Sequence, residues 1–174
     1  MTTVRDNVFK IGDNFVTLLG DEVKVGDTAP DFTSVVMGWG KVNPLQESKG
    51  KVIILSAVPS LDTDTCDRET RRFNEEAAKL GADIVIYTIS CDFPMSQARW
   101  CGATGVDKVK VVSDVLDAEF GTKYGILIKE RRYLRRSVFI VGRDGKLTYV
   151  NYLPTLGDEP NYDEVIAKAK KALG

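Results

Sequence analysis

Cysteine is the most reactive side chain this sequence carries, at positions 66, 91 and 101, and histidine is absent from all 174 residues. Without imidazole there is no Ser/His or Cys/His catalytic pair and no His-ligated zinc or haem. Three cysteines without C-x-x-C spacing also make a poor zinc site and a poor structural disulfide framework. Any chemistry at sulfur must therefore favour the thiolate by other means. The stretch PSLDTDTC (residues 59–66) follows the apolar run VIILSAV (residues 52–58) directly. Pro59 cannot donate to a strand ladder and keeps the residue before it extended, so it ends that run. Asp62 and Thr63 are both good N-cap types, which puts Cys66 in the first turn of the next helix. The free N–H groups and the positive end of the helix dipole stabilise a thiolate there. Position alone leaves two readings open, a reactive nucleophile or a small buried hydrophobe.

The elements around this stretch must place it. KVIILSAV (residues 51–58) is a continuous β-branched run, expected of a central strand buried on both faces. Residues 63–80 carry Phe73, Ala77 and Leu80 at helical spacing and stop at Gly81. DIVIYTIS (residues 83–90) predicts a second central strand, MSQARWCGATG (residues 95–105) a short helix, and KVKVVSD (residues 108–114) a third strand. VLDAEFGTKYG (residues 115–125) predicts another short helix. Residues 133–153 read as a hairpin around Asp144-Gly145, and residues 161–173 as an amphipathic C-terminal helix. Upstream, residues 14–27 predict a hairpin turning near Gly20-Asp21 within an N-terminal extension (residues 1–27). PDFTSVVM (residues 30–37) predicts a short strand, and residues 38–51 a loop. The order predicts an α/β chain with a central mixed sheet flanked by helices, the thioredoxin-like architecture, in one domain over residues 1–174. A chain of this length can bury one substantial core.

Hydrophobic residues make up 43% and charged residues 28%, with net charge −1. Nothing in that balance draws the chain to nucleic acid or to an anionic membrane. The opening MTTVRDNVFKIGDNF has no apolar core of a signal peptide and no stretch is long enough to span a bilayer, so a cytoplasmic protein is expected.

Pro59, Thr63 and Cys66 form P-x-x-x-T-x-x-C, which resembles the active-site signature of the peroxiredoxins. The longer stretch VPSLDTDTCDRETRRFNEEA (residues 58–77) is similar to the bacterial atypical two-cysteine thiol peroxidases. The resemblance extends to VKVGDTAPDF (residues 23–32), QARWCGATG (residues 97–105), LRRSVFIVGRDGK (residues 134–146) and EPNYDEVIAKAK (residues 159–170), and so covers most of the chain. It implies that Cys66 is the peroxidatic cysteine and that the Thr63 hydroxyl holds peroxide and sulfur. It implies that Pro59 shields the sulfur from water and that Arg136 stabilises thiolate and transition state. Cys101 matches the resolving cysteine, and Cys91 is left as a spare thiol. A guanidinium plus a helix N-terminus is also what physics leaves for favouring a thiolate in a chain without histidine. Arg135 and Arg136 are expected to face opposite sides of a strand, so that only one reaches the site. In one respect the sequence departs from the pattern: Asp64 and Thr65 stand where the family usually has a proline and an apolar residue. An acidic Asp64 suits a helix start, yet a carboxylate near the sulfur opposes thiolate formation.

The resemblance implies a peroxidase without cofactor or metal that reduces hydrogen peroxide or organic hydroperoxides. Cys66 would become a sulfenic acid, Cys101 would capture it as an intrachain disulfide, and thioredoxin or a similar dithiol protein would reduce that disulfide. It further implies a homodimer packed through loops around the site. The alternative from another class is a redox-sensing regulator that uses the same disulfide to switch partner binding. A thioredoxin-type disulfide oxidoreductase is disfavoured by the lack of C-x-x-C.

Overall fold

The computed structural model describes residues 1–174. The chain opens with β1 (Val4–Ile11) and β2 (Asn14–Leu19), an antiparallel hairpin in which Ile11 faces Asn14 across Gly12-Asp13. This corrects the expected hairpin at residues 14–27, because the turn lies at Gly12 (φ +61°) and not at Gly20-Asp21. Gly20 serves a close approach instead: a Cβ there would collide with the Thr122 carbonyl. Residues 23–27 form no strand.

β3 (Ser34–Val35) is shorter than the expected strand. The expected loop after it contains a 3-10 turn (Met37–Trp39), β4 (Lys41–Val42) and the one-turn helix α1 (Pro44–Glu47). The signal for α1 was present in the sequence: Asn43 accepts from the Gln46 N–H at 3.1 Å, and Pro44 occupies the first helical position. There follow β5 (Val52–Ala57), α2 (Asp64–Ala77), β6 (Ile84–Ser90), α3 (Pro94–Thr104) and β7 (Lys110–Ser113), each within the stretch expected for it except α3, which starts one residue earlier, at Pro94. α4 (Glu119–Lys123), β8 (Leu127–Ile128), β9 (Tyr133–Leu134), β10 (Ser137–Val141), β11 (Leu147–Tyr152) and α5 (Tyr162–Ala172) complete the chain.

Seven strands form the main sheet in the order β11-β10-β5-β6-β7-β3-β4. The β5–β6 and β6–β7 pairs are parallel and the others antiparallel, so the sheet is mixed. All six residues of β5 are buried, and they alternate between two cores. Ile53, Leu55 and Ala57 join Phe32, Tyr87, Phe120, Tyr124 and Phe139 on one face. Val52 and Ile54 join Phe73, Ile86, Ile140, Val165 and Ile166 on the other, beneath α2 and α5. Burial on both faces is why this strand reads as an unbroken apolar run. Leu55 alone, moved from water to such a core, contributes about 2 kcal/mol.

A second, four-stranded antiparallel sheet, β1-β2-β8-β9, packs Phe9, Val16, Leu18 and Ile128 together. Two residues, Arg135 and Arg136, bridge from β9 in this sheet to β10 in the main one.

Candidate active site

The site begins where β5 stops. Val58 extends the ladder by one bond, its N–H donating to Ile89 at 3.0 Å, and the buried Pro59 ends it. The chain turns through Ser60, Leu61 and Asp62, closed by the Thr63 N–H donating to the Ser60 carbonyl at 3.1 Å. Thr63 is the residue before α2, in extended backbone, and the Asp67 N–H returning to its carbonyl at 2.9 Å is the helix's first bond. Cys66 therefore sits in the first turn, among N–H groups that no helical carbonyl occupies. Its side chain has no solvent exposure and packs with Val58 and Leu61.

Two donors reach the sulfur. The Thr63 hydroxyl lies 2.7 Å from Cys66 Sγ, and Arg136 Nη2 lies 3.2 Å from it. Thr63 does not spend its hydroxyl on the helix N-terminus, unlike an ordinary N-cap. Its other neighbour is the Ser60 carbonyl at 3.0 Å, and a hydroxyl has one proton to give. When the sulfur is charged, that proton goes to sulfur. The guanidinium is held by the Leu156 carbonyl, which accepts from Nε at 3.0 Å, and by Glu69, which accepts from Nη1 at 2.6 Å. Each nitrogen of the buried Arg136 guanidinium thereby has a partner.

Arg135 points away. Its guanidinium donates to the Leu153 carbonyl, stands 4.6 Å from the Phe9 ring centre and 3.6 Å from Glu22. The two arginines face opposite sides as expected, although they lie in the link between β9 and β10 and not within a strand.

A cavity of ≈ 320 Å³ opens against Thr63 and Arg136, the two donors to the sulfur, and is lined further by Pro59, Ser60, Tyr133 and Leu156 among others, while Cys66 itself lies behind its wall. The fold thus brings Pro59, Thr63, Cys66 and Arg136 together. Cys101 is not brought to them. It is half-buried on α3 and lines a separate cavity of ≈ 200 Å³ with Met37, Pro94, Ala98 and Val111. All three cysteines are unpaired. Burial pushes the Cys101 thiol up, and pushes Cys91 up to about 12 with the further help of Asp114 and Asp92. Cys66 alone has both a cation and a hydroxyl at its sulfur. No three His, Cys, Asp or Glu side chains converge in a way that would hold a metal ion, and no helix is long and apolar enough to cross a membrane.

Residues 24–166 match the Redoxin family. Over 155 residues the chain is 54% identical to a thiol peroxidase of Bacillus subtilis, spanning 89% of this chain and 92% of that relative. The chain belongs to the thiol peroxidase branch of the redoxin family. A thiol peroxidase of Oceanobacillus iheyensis is 49% identical over 156 residues, covering 90% of this chain and 94% of its own. Among solved structures, a peroxiredoxin-like protein from Aquifex aeolicus superposes with a TM-score of 0.86 at 36% identity over 98% of each chain. A thiol peroxidase from Chromobacterium violaceum superposes with a TM-score of 0.80 at 21% identity, over 95% of this chain and 96% of that one, a likeness of fold. The chain is therefore a peroxiredoxin-type oxidoreductase with the thioredoxin-like fold.

Two features of this thiol peroxidase site escaped sequence reasoning. Glu69 is fully buried, one helical turn beyond Cys66, and also accepts from Ser56 Oγ at 2.9 Å. Burial pushes its carboxyl up to about 7, against the Arg136 charge that favours the anion. Burial lowers and Glu69 and Cys66 raise the Arg136 guanidinium, and the raising prevails. The signal for Glu69 was its spacing: position 69 shares a helix face with Cys66 and with Phe73, an apolar core position. Asp92 is the second. It accepts from Ser60 Oγ at 2.7 Å, the Leu61 N–H at 2.8 Å and Ser90 Oγ at 2.7 Å, fixing the loop before α2 to the end of β6. Asp64, the departure from the family pattern, is exposed at the mouth of the cavity. Solvent there weakens its field at the sulfur.

Proposed function

We infer that this chain reduces hydrogen peroxide and organic hydroperoxides at Cys66 and is recycled by thioredoxin or a similar dithiol protein. The observation that carries this is the convergence of Thr63 Oγ1 and Arg136 Nη2 on one buried sulfur at a helix N-terminus. The thiolate attacks the distal peroxide oxygen. The O–O bond breaks, Cys66 becomes a sulfenic acid, and the leaving alkoxide or hydroxide takes up a proton. Arg136 faces the place where negative charge moves from sulfur to oxygen, so its cation helps both before and during transfer. Pro59 and Leu156 wall the cavity and keep bulk water from the sulfenate.

Cys101 then attacks the Cys66 sulfur, water leaves, and an intrachain disulfide forms. Two electrons and two protons from the dithiol restore both thiols. A cycle that consumes dithiols fits a reducing compartment such as the cytoplasm. The pairing of two chains through loops near the site is supported by exposed apolar side chains at the base of α3, where Trp39 and Phe93 meet at 6.4 Å. The whole chain acts as one domain in this reading.

Steady-state consumption of hydrogen peroxide and of a bulky hydroperoxide, with a thioredoxin–thioredoxin reductase couple as reductant, tests it. Many turnovers are expected, and loss of turnover in Cys66→Ser. Consumption of a single equivalent followed by silence would favour a redox sensor, and turnover retained in Cys66→Ser would end the reading.

A further inference from the structure

The residue that follows Cys66 and the residue that precedes Cys101 are hydrogen-bonded to each other. Trp100 Nε1 donates to Asp67 Oδ1 at 3.0 Å. The other carboxylate oxygen accepts from Arg71 Nε at 2.8 Å, and the Arg71 guanidinium lies 6.0 Å from the indole centre. Trp100 also packs on the Val58, Leu61 and Cys66 cluster. Successive side chains on a helix diverge by about 100°. With Trp100 turned toward α2, Cys101 is turned off it, into its own cavity. The bond that ties the two cysteine segments together thus holds the two sulfurs apart.

The rest of α3 is weakly held. Only Pro94 and Gln97 are fully buried, both in its first half, where Gln97 Nε2 donates to Ser90 Oγ and to the Val112 carbonyl at 2.9 Å each. Beyond the helix, Asn74 Oδ1 accepts from the N–H groups of Lys108 and Val109, at 2.7 and 3.1 Å. Between these anchors, the half of α3 that carries Cys101 is pinned to α2 by the indole and ends on Gly105 in left-handed backbone. Val106, just past the helix, is buried in the core, but the half of α3 that carries Cys101 buries no side chain fully, and a stretch so thinly buried opens more readily once the indole bond is lost.

We propose that Trp100 is the positioning residue of Cys101, latched to Asp67, and that opening of this latch gates closure of the Cys66–Cys101 disulfide. The proposal rests on the peroxidase reading above. A disulfide needs Cα atoms within about 7 Å and an S–S length near 2.05 Å, so the indole must leave before the sulfurs meet. While the latch is shut, the Cys66 sulfenate stays exposed to a second peroxide, which would transfer an oxygen to give the sulfinate and release an alcohol or water. The latch therefore sets the ratio of disulfide closure to overoxidation.

The chain has two tryptophans, so a Trp39→Phe background leaves Trp100 as the sole indole. One equivalent of hydrogen peroxide is expected to shift its emission to the red as the disulfide forms, and not to do so in Cys101→Ser. Trp100→Phe keeps a ring and loses the N–H, and should raise the ratio of closure to overoxidation about tenfold, the effect of one hydrogen bond to a charged acceptor. Asp67→Asn keeps an oxygen acceptor without the charge and should fall between wild type and Trp100→Phe. Mass spectrometry of Cys66 across a peroxide series reads that ratio. An unchanged or lowered ratio in both variants, with the disulfide forming and the emission still, overturns the latch and leaves the peroxidase reading intact. Failure of wild type to form any Cys66–Cys101 disulfide overturns the latch together with the resolving role of Cys101, and failure of Cys66 to oxidise at all overturns the peroxidase reading as well.

Discussion

Arg136 Nη2 and the Cys66 sulfur stand 3.2 Å apart, although 70 residues separate them in the chain. Both are fully buried, and a buried cation is costly unless it is paired. Arg136 meets that condition twice over, through Glu69 and through the sulfur itself. The guanidinium is thus held in place before any peroxide arrives.

Replacing Arg136 by methionine keeps much of the bulk and removes the charge. Peroxide reduction should fall about 10²- to 10³-fold, as when a preorganised donor to developing negative charge is lost. Arg135→Met should change the rate by no more than a few-fold, since that side chain serves the Phe9 and Glu22 side of the sheet. Single-turnover rates of Cys66 oxidation compare the two, and equal losses would refute the division of roles.

The Glu69–Arg136 pair should show itself in stability. Above about pH 7, where Glu69 is ionised, Arg136→Met strands a buried carboxylate and should destabilise the fold by about 3–5 kcal/mol. Adding Glu69→Gln should recover most of that while leaving peroxide reduction as low as in Arg136→Met. The pH dependence has a definite sign. The folded carboxyl holds its proton up to about 7, whereas the ordinary value is 4.5. Its contribution to stability is therefore present below about 4.5 and lost as pH rises to about 7. Asp114, pushed up to about 6 by its own burial, adds a slope of the same sign in every variant. Denaturant unfolding across pH should show a shallower decline in Glu69→Gln than in wild type.

Thr63→Val tests the hydroxyl apart from the helix. Because Thr63 makes no side-chain cap bond, the substitution should cost under about 1 kcal/mol of stability, less than removing a working N-cap. The rate of Cys66 oxidation should fall 10-fold or more with the loss of the donor at 2.7 Å. A normal rate with lowered stability would reverse this assignment.

Hydrogen exchange should find α3 looser than the start of α2. α2 buries Cys66, Glu69, Thr70 and Phe73, whereas α3 buries only Pro94 and Gln97. On going from dithiol to disulfide, residues 94–105 should lose more protection than residues 63–70. Unchanged exchange in both would count against movement of the Cys101 segment.

Light scattering at micromolar concentration should give twice the chain mass. A monomer would refute the pairing through Trp39 and Phe93.

How far the residues alone carry the reading depends on the range of the interaction concerned. β5, α2 and the place of Cys66 in a first turn were legible, because Pro59 and Thr63 act on the few residues beside them. So were β6 and the β10–β11 hairpin, whose runs and turn are local signals. The N-terminal hairpin was misplaced for the complementary reason. Gly20 looks like a turn residue, yet it is there because the chain passes against Thr122, a neighbour that no local pattern contains. The chemistry divides in the same way. Residue types alone determined that a thiolate here must be served by something other than imidazole, and the spacing of Pro59, Thr63 and Cys66 marked Cys66 as the candidate nucleophile. Tertiary structure decided which arginine stands at that sulfur, that Glu69 holds that arginine, and that Trp100 is bonded to Asp67. Those three facts are contacts between segments distant in sequence, brought together only when both faces of the sheet are covered.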